Sequence, residues 1–195
     1  MKLNSEIKIV GRNILLVPYQ KLHVLKYHQW MKSEELQKLT ASEPLTLEDE
    51  YEMQKSWRED EDKCTFILLD KRKFDEVEDE LESMIGDTNI FITDKVCSIG
   101  EIEIMIAEEC ARGKKLGWEA VIHMLLYGIK YIKLKIFEAK ISLQNEISIS
   151  MFKKLGFGEK SRSEVFQEIT LEKNVTDEWL QWLESHYQLQ IQPLK

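Results

Sequence analysis

The chain has 195 residues, of which 43% are hydrophobic and 32% are charged, and its formal net charge is −8. This size and balance are typical of a single globular domain with a full hydrophobic core. The acidic balance argues against a nucleic-acid-binding module. No apolar run reaches the ~18 residues of a transmembrane helix, and no apolar segment near Met1 marks a secretory signal. We therefore expect a cytoplasmic protein that binds neither nucleic acid nor a membrane.

The cysteines give no signature of a disulfide framework or a metal site. Cys64, Cys97 and Cys110 are odd in number, and no two of them have metal-ligand spacing. This usage is typical of a reduced intracellular chain. We therefore expect no metal.

The first half of the chain mixes strand and helix patterns. Pro18 is expected to end the first strand, and Thr46 and Asp49 form a predicted capping pair at the start of a helix. Residues 71–83 carry six acidic side chains and predict a solvated loop. The predicted strands are 13–18 and 65–70, and the predicted helices are 22–31 and 47–57.

The second half predicts a hairpin followed by alternating helices and strands. No linker interrupts it, so residues 1–187 are predicted as one domain and residues 188–195 as a flexible tail. The predicted elements are a hairpin of 85–93 with 99–107, a helix from 118, a strand at 135–141, a helix at 145–155, a strand at 165–171 and a helix at 177–187.

The segment from Arg112 to Gly117, here called the phosphate loop, follows an apolar strand and precedes an amphipathic helix. The first N–H groups of a helix lack intrahelical partners, and the helix dipole adds partial positive charge there. With Arg112, Lys114 and Lys115 beside them, these groups predict a phosphate or pyrophosphate site. The spacing matches neither G-x-x-x-x-G-K-[ST] nor G-x-G-x-x-G, which excludes the P-loop and Rossmann patterns.

A second motif follows about thirty residues later, as N-x-x-S-x-x-x-F-x-x-x-G-F. Asn145 is suited to cap a helix, because its short side chain can accept an orphan N–H. Phe152 falls on the inner face of that helix. Gly156 stands where a left-handed residue commonly ends a helix.

Together these motifs resemble the GNAT family of N-acetyltransferases, whose loop pattern Q/R-x-x-G-x-G/A binds the pyrophosphate of acetyl-CoA. Arg112 and Gly117 match its first and last positions, and Lys115 stands at its middle glycine. Further segments are similar to a eukaryotic branch of the RimJ/RimL-like type, which is described as acetylating the α-amino groups of α- and β-tubulin. Tubulin is therefore the implied partner. These segments are 13–19, 30–39, 40–47, 62–68 and 100–108.

The resemblance implies a mixed α/β (α+β) GNAT fold with a central, mostly antiparallel sheet. The two strands that flank the phosphate-loop helix are expected to splay apart. Acetyl-CoA is the implied co-substrate, with its pantetheine arm paired to backbone in the splay. The residues implied to bind it are Ile104, Ile106, Arg112, Gly113, Lys114, Lys115, Leu116, Gly117, Asn145 and Phe152.

Acetyl transfer requires that the acceptor amine lose a proton, which a positioned carboxylate or a water chain can take. Glu101 and Glu103 alternate with Ile102 and Ile104, so both face one side of the predicted strand. An apolar wall raises the pKa of a carboxylate and suits it as a base. We expect Glu103, nearer the implied thioester, as the base and Glu101 as the alternative. The alternative that Glu101 and Glu103 lie on a solvated strand face and have no catalytic role stays open.

Two positions depart from the family pattern. Lys115 replaces a glycine, and glycine permits positive φ and close approach of the backbone to a ligand. Phe152 stands where many members carry a tyrosine that protonates the leaving thiolate, although a thiolate of ordinary pKa can leave without an acid. Three interpretations therefore stay open: acetyl transfer to a protein amine, binding of tubulin or microtubules with weak or no transfer, and a purely structural α/β protein without CoA.

Overall fold

A single nine-stranded sheet organises the protein in the computed structural model, which describes residues 2–194. The strands are β1 (Ile7–Val10), β2 (Ile14–Pro18), β3 (Lys63–Asp70), β4 (Met84–Asp94), β5 (Ile99–Ile106), β6 (Ile136–Ser142), β7 (Gly158–Ser163), β8 (Glu168–Asn174) and β9 (Ile191–Pro193). Their order is β7-β8-β6-β5-β4-β3-β2-β1-β9. Every neighbouring pair is antiparallel except β5–β6. The predicted mixed, mostly antiparallel sheet is confirmed.

Helices cover both faces of the sheet and enclose two hydrophobic cores. The α-helices of residues 2–194 are α1 (Val24–Trp30), α2 (Glu34–Thr40), α3 (Leu47–Glu59), α4 (Lys71–Val77), α5 (Glu80–Ser83), α6 (Leu116–Tyr127), α7 (Glu146–Lys154) and α8 (Asp177–His186). One core joins α1 and α2 to Leu15, Val17 and Ile67 of the sheet, with α3 packed against it. The other joins α6, α7 and α8 to Leu16 and Phe66. Alternating side chains of the strands supply the two faces.

The sheet opens between β5 and β6. The two strands pair only over Ile99–Glu101 and Ile136–Glu138. Beyond this point β5 continues to Ile106, paired on its other side with β4. The predicted splay is confirmed, and it leaves one backbone edge of β5 open beside the start of α6.

Buried Glu119 fixes the start of α6 against the β1–β2 turn. Its carboxylate accepts hydrogen bonds from the backbone N–H groups of Arg12 (2.6 Å) and Asn13 (2.9 Å) and from the Asn13 side chain (2.8 Å). Three donors satisfy a charge that burial would otherwise make costly. The helix that follows the phosphate loop is therefore held at its N-terminal end.

The acidic stretch was wrongly predicted as a loop, since residues 71–83 form α4 and α5. Asp70 and Asp79 cap these helices by accepting backbone N–H groups, from Lys73 at 3.2 Å and from Glu82 at 2.9 Å. Acidic residues favour the first turn of a helix for this reason. The acidic run that suggested solvation therefore includes the capping residue of α5.

The C-terminal segment also differs from the sequence analysis, which expected a flexible tail from residue 188. Ile191–Pro193 forms β9 and pairs with β1. Backbone bonds from Val10 N–H to the Gln190 carbonyl (2.9 Å) and from Leu194 N–H to the Glu6 carbonyl (2.8 Å) flank it. Neither β1 nor β9 was predicted, because each is too short to show a pattern without its partner.

Three further differences concern short or exposed elements. α2 and β7 were not predicted. The strand expected from residue 165 begins at Glu168, with Val165 and Phe166 exposed in the preceding turn. The predicted caps of α3 and α7 are confirmed, because Thr46 accepts the Asp49 N–H at 3.2 Å and Asn145 accepts the Ser148 N–H at 3.1 Å.

Candidate active site

The backbone of the phosphate loop is left-handed at two positions. Gly113 has φ of 73° and Lys115 has φ of 62°. A side chain in this region costs roughly 1–2 kcal/mol, which explains why the family pattern has glycine at the position of Lys115. α6 begins at the next residue, Leu116, without a side-chain cap. Its first amide N–H groups are therefore available to an anion.

The start of α6 lies against the open end of β5. A Cβ atom added to Gly117 would lie 3.4 Å from Cγ1 of Ile106 and 3.9 Å from Cγ1 of Ile104. Backbone groups of Glu103 and Ala107 face β4. The Ala107 N–H donates to the Ile85 carbonyl of β4 at 2.9 Å, and the Glu103 carbonyl accepts a hydrogen bond from Thr88 Oγ1 of β4 at 2.7 Å.

Backbone groups of consecutive strand residues point to opposite sides of the strand. Because Glu103 and Ala107 face β4, the backbone groups of Ile104 and Ile106 point into the splay. We call Ile104, Ile106 and the phosphate loop the donor side.

Arg112 is held by two protein groups across the mouth of the splay. Its Nε donates to the Ile106 carbonyl at 3.1 Å, and its Nη1 lies 2.9 Å from Oε1 of Glu35 on α2. Lys114 and Lys115 are exposed, whereas the Leu116 side chain is buried and leaves only its N–H group to the site. The donor side is thus positively charged, and one of its charges is paired with α2.

The structure gives Asn145 and Phe152 structural positions on α7. Asn145 is half-buried and caps the helix. Phe152 is buried in the larger core and packs edge-on against Phe157, with ring centroids 5.1 Å apart. Gly156 ends the helix with φ of 91°. Their implied contacts with acetyl-CoA stay predictions.

Glu101 and Glu103 share one face of β5 but differ in their surroundings. Glu101 is buried, and its Oε2 lies 2.6 Å from Nζ of Lys140 on β6. Glu103 is accessible to solvent, yet enough protein surrounds it that desolvation raises the pKa of its carboxyl. The charge of Glu101 raises this pKa further, while Lys63 and Lys140 lower it. A raised pKa suits Glu103 to a proton-accepting role.

Sequence analysis missed Asp87, which lies on the same face of the neighbouring strand. Asp87 is opposite Met105, two residues from Glu103, and Asn89 is directly opposite Glu103. Asn89 donates to Oδ2 of Asp87 at 2.8 Å, and its own oxygen accepts the Thr65 hydroxyl. The signal in the sequence was the polar run from Asp87 to Asn89 inside an otherwise apolar predicted strand.

Three further polar side chains come from the helices and from the residue that follows β2. Tyr19 lies directly after β2, Tyr27 is on α1 and Glu50 is on α3, and all three are buried. Burial raises the pKa of Glu50 to about 7 and that of Asp87 to about 7. We call Tyr19, Tyr27, Glu50, Asp87 and Glu103 the acceptor wall.

The acceptor wall contains three buried oxygens without a protein partner in the described residues, one each from Tyr19, Glu50 and Asp87. The carboxyls of Glu50, Asp87 and Glu103 favour a cationic ligand, in contrast to the positively charged donor side.

Within residues 2–194, no three His, Cys, Asp or Glu side chains are placed to hold a metal ion. The three cysteines are free. None of the described helices combines the length and the apolar character that crossing a membrane requires.

Comparison with known proteins identifies the family. The profile of the acetyltransferase (GNAT) domain matches residues 13–158. Alpha/beta-tubulin-N-acetyltransferase 9 of Homo sapiens is 54% identical over 187 residues, covering 94% of this chain and 90% of the relative. The protein of the same name from Drosophila melanogaster is 48% identical over 197 residues, covering 98% of each chain.

Solved structures share the fold at low sequence identity. Spermidine N-acetyltransferase from Vibrio cholerae, in complex with CoA and spermine, has a TM-score of 0.70 and 14% identity. That comparison covers 91% of this chain and 96% of the bacterial one. The match to the domain profile and the identity to curated relatives show that this chain belongs to the GNAT family and is an N-acetyltransferase.

Proposed function

We propose that this protein transfers the acetyl group of acetyl-CoA to the N-terminal α-amine of α- and β-tubulin. The observation that carries this proposal is the meeting of the basic donor side and the acidic acceptor wall at the splay of β5 and β6. The names of the human and Drosophila relatives support tubulin as the acceptor. With that acceptor, the reaction takes place in the cytoplasm.

The donor side fits acetyl-CoA by its backbone and its charge. The uncapped N-terminus of α6 offers N–H groups to a pyrophosphate, and Lys114 and Lys115 add exposed positive charge. The N–H and C=O groups of Ile104 and Ile106 face the open edge, where an extended pantetheine arm can pair as an added strand does. Arg112 must release the Ile106 carbonyl for that pairing to be complete.

The acceptor wall supplies a base for the incoming amine. Glu103 takes a proton from the ammonium, and the neutral amine attacks the thioester carbonyl. The new N–C bond forms as the C–S bond breaks, the sulfur keeps the electron pair, and the nitrogen loses its second proton to solvent. Phe152 has no proton to give, so the thiolate leaves with its charge, which its moderate pKa allows. Alignment of the two substrates at the splay makes the attack effectively intramolecular.

A transfer assay with mass spectrometry tests the proposal. We expect acetylation of peptides from the N-termini of α- and β-tubulin, and no product from the same peptides with a formylated α-amine. Acetyl groups found on lysine side chains of the formylated peptides would contradict α-amine transfer. Peptide binding without product, in protein that also binds acetyl-CoA, would instead support the alternative of a tubulin-binding protein with weak or no transfer.

A further inference from the structure

The carboxyl of Asp87 is buried next to Glu103 and has no part in the mechanism above. It is 3% exposed, and its Oδ1 has no hydrogen-bond partner in residues 2–194. The register of β4 and β5 places it diagonally from Glu103 on the same face. Diagonal neighbours of an antiparallel pair lie ~7–8 Å apart, which is within reach of long side chains. The two carboxyls are therefore close enough for the charge of one to affect the other.

The position of Asp87 is fixed by a chain of hydrogen bonds. Asn89 holds its Oδ2 at 2.8 Å, Thr65 holds the Asn89 oxygen, and the Thr65 carbonyl accepts the Asn4 side chain at 2.7 Å. A carboxyl fixed in this way cannot turn outward to reach water. Its charge state is therefore felt by the groups around it.

Several titratable groups face Asp87 and Glu103 from the surrounding elements. β3 contributes Lys63, whose Nζ lies 3.6 Å from the centre of the Trp57 ring. Glu101 on β5 is paired with Lys140 on β6. Tyr19, Tyr27 on α1 and Glu50 on α3 complete the set. Among residues 2–194, no cation forms an ion pair with Asp87 or Glu103.

The electrostatics agree with this geometry. Burial is the main cause that raises the pKa of Asp87 to about 7, and the charge of Glu103 is the second. Desolvation by the surrounding protein is the main cause that raises the pKa of Glu103, and the charge of Glu101 raises it further. The two carboxyls therefore interact electrostatically. Titratable groups that interact strongly lose their protons as a coupled pair.

We propose that Asp87 is a positioning residue for the proton transfer, and that its carboxyl titrates as a coupled pair with that of Glu103. This inference rests on the proposed acetyl transfer with Glu103 as the base. When Asp87 ionises, its negative charge strengthens the attraction of Glu103 for the ammonium of the acceptor and for its proton. The pH dependence of the reaction then belongs to the pair and not to Glu103 alone.

The test compares the pH dependence of kcat/KM in the wild-type protein and in Asp87→Asn, with one peptide acceptor. Asn keeps the shape and the Asn89 contact but never ionises. The titration of the peptide amine cancels in the ratio of the two profiles. We expect this ratio to be constant at low pH and to rise through a step near pH 7, the pKa of Asp87. A shift of about one pKa unit corresponds to a rise of about tenfold.

Thr65→Val is the matched control, because it breaks the same hydrogen-bond chain without removing a charge. Its ratio to the wild type should be independent of pH, even if its activity is lower. A ratio for Asp87→Asn that is also independent of pH would reduce Asp87 to a structural residue and overturn the inference.

A second measurement needs neither the Asp87 variant nor activity. Carbon-13 NMR of the wild-type protein, labelled at the side-chain carboxyls of Asp and Glu, follows each titration directly, with Glu103→Gln used to assign the Glu103 signal. We expect Glu103 to titrate in two steps, the second coinciding with Asp87. Titration of Glu103 in a single step would overturn the inference that its carboxyl is coupled to that of Asp87. Two steps without acetyl transfer to any peptide would refute the proposed function and leave the pair intact.

Discussion

The two sides of the splay are built in different ways. The donor side is made mainly of backbone, and all of its residues lie within one stretch of chain from Ile104 to Gly117. The acceptor wall is made of side chains, which come from Tyr19 and Tyr27 at one end of the chain to Glu103 near its middle. A site made of backbone leaves a local motif in the sequence. A site assembled from side chains of several elements shows single residues such as Glu103 in the sequence, but its other members become visible only when the packing and the strand register are known.

The two sides also differ in charge, in a way that suits two different substrates. The donor side carries Arg112, Lys114 and Lys115, and the acceptor wall carries Asp87 and Glu103. Opposite potentials on the two sides of one cleft attract an anionic donor and a cationic acceptor to separate places. Variants on one side should therefore affect one substrate and leave the other unchanged.

The largest effect is expected for the loss of the proposed base, Glu103. It should slow the chemical step without changing the binding of acetyl-CoA. Glu103→Gln keeps the size of the side chain but cannot accept a proton, so kcat should fall by about 10²–10⁴ while the Kd for acetyl-CoA stays unchanged. Steady-state kinetics and calorimetry measure the two quantities. Glu101→Gln is the matched control, and its smaller loss is expected because Glu101 is already paired with Lys140. A larger loss of kcat in Glu101→Gln than in Glu103→Gln would show that Glu101 is the base.

The next effect concerns the anchor of the donor side. Glu119→Ala leaves three N–H donors without their acceptor beneath α6 and should lower the free energy of unfolding by about 2–4 kcal/mol. Urea denaturation measures this change. Glu109→Ala, at an exposed position before the phosphate loop, should stay within about 0.5 kcal/mol of the wild type. Equal stabilities of the two variants would show that Glu119 is not the anchor.

Gly117 offers a test of the donor side alone. Gly117→Glu adds a negative charge at the start of α6, where the pyrophosphate is expected, and should weaken acetyl-CoA binding by about 100-fold. Gly117→Ala should bind almost as the wild type does, because its Cβ would meet Ile106 at 3.4 Å, an ordinary contact. Calorimetry on both variants, in protein shown to be folded, decides the matter. Unchanged affinity in Gly117→Glu would place the donor elsewhere.

The smallest effect concerns the residue that departs from the family pattern. Lys115 has φ of 62°, so Lys115→Gly should stabilise the fold by about 1 kcal/mol and tighten acetyl-CoA binding a few-fold. Lys115→Ala removes the charge but keeps the strained backbone, and thermal unfolding with calorimetry compares the two. Weaker binding in both variants by the same factor would show that the charge of Lys115 matters more than its conformation.

The phosphate loop of the donor side and several helix ends could be predicted because their signals are local. The phosphate loop, the caps at Thr46 and Asn145 and the turn at Gly156 each depend on a few neighbouring residues, and the structure has all of them. The left-handed φ of Lys115 was not predicted, although it agrees with the glycine that the family pattern has at this position. The contact between Arg112 and Glu35 could not be predicted, since 77 residues separate the two side chains.

Apart from Glu103, the acceptor wall could not be predicted, and neither could the pairing of β1 with β9, for a physical reason that they share. β1 and β9 stabilise each other from opposite ends of the chain, and neither is long enough to show a period alone. Asp87 was visible as part of a polar run, but its neighbours Tyr19 and Glu50 depend on how α3 and the end of β2 meet. Side-chain neighbours that are distant in sequence follow from the packing of the sheet and not from spacing.

The most direct test of the proposed site is to locate bound acetyl-CoA on the protein. Amide resonances of nitrogen-15-labelled protein should be followed while acetyl-CoA is added. We expect the largest shifts on Ile104, Ile106, Leu116 and Gly117, around the splay and the start of α6. Large shifts confined to the outer surface of α7, with these four amides unchanged, would contradict this position of the donor.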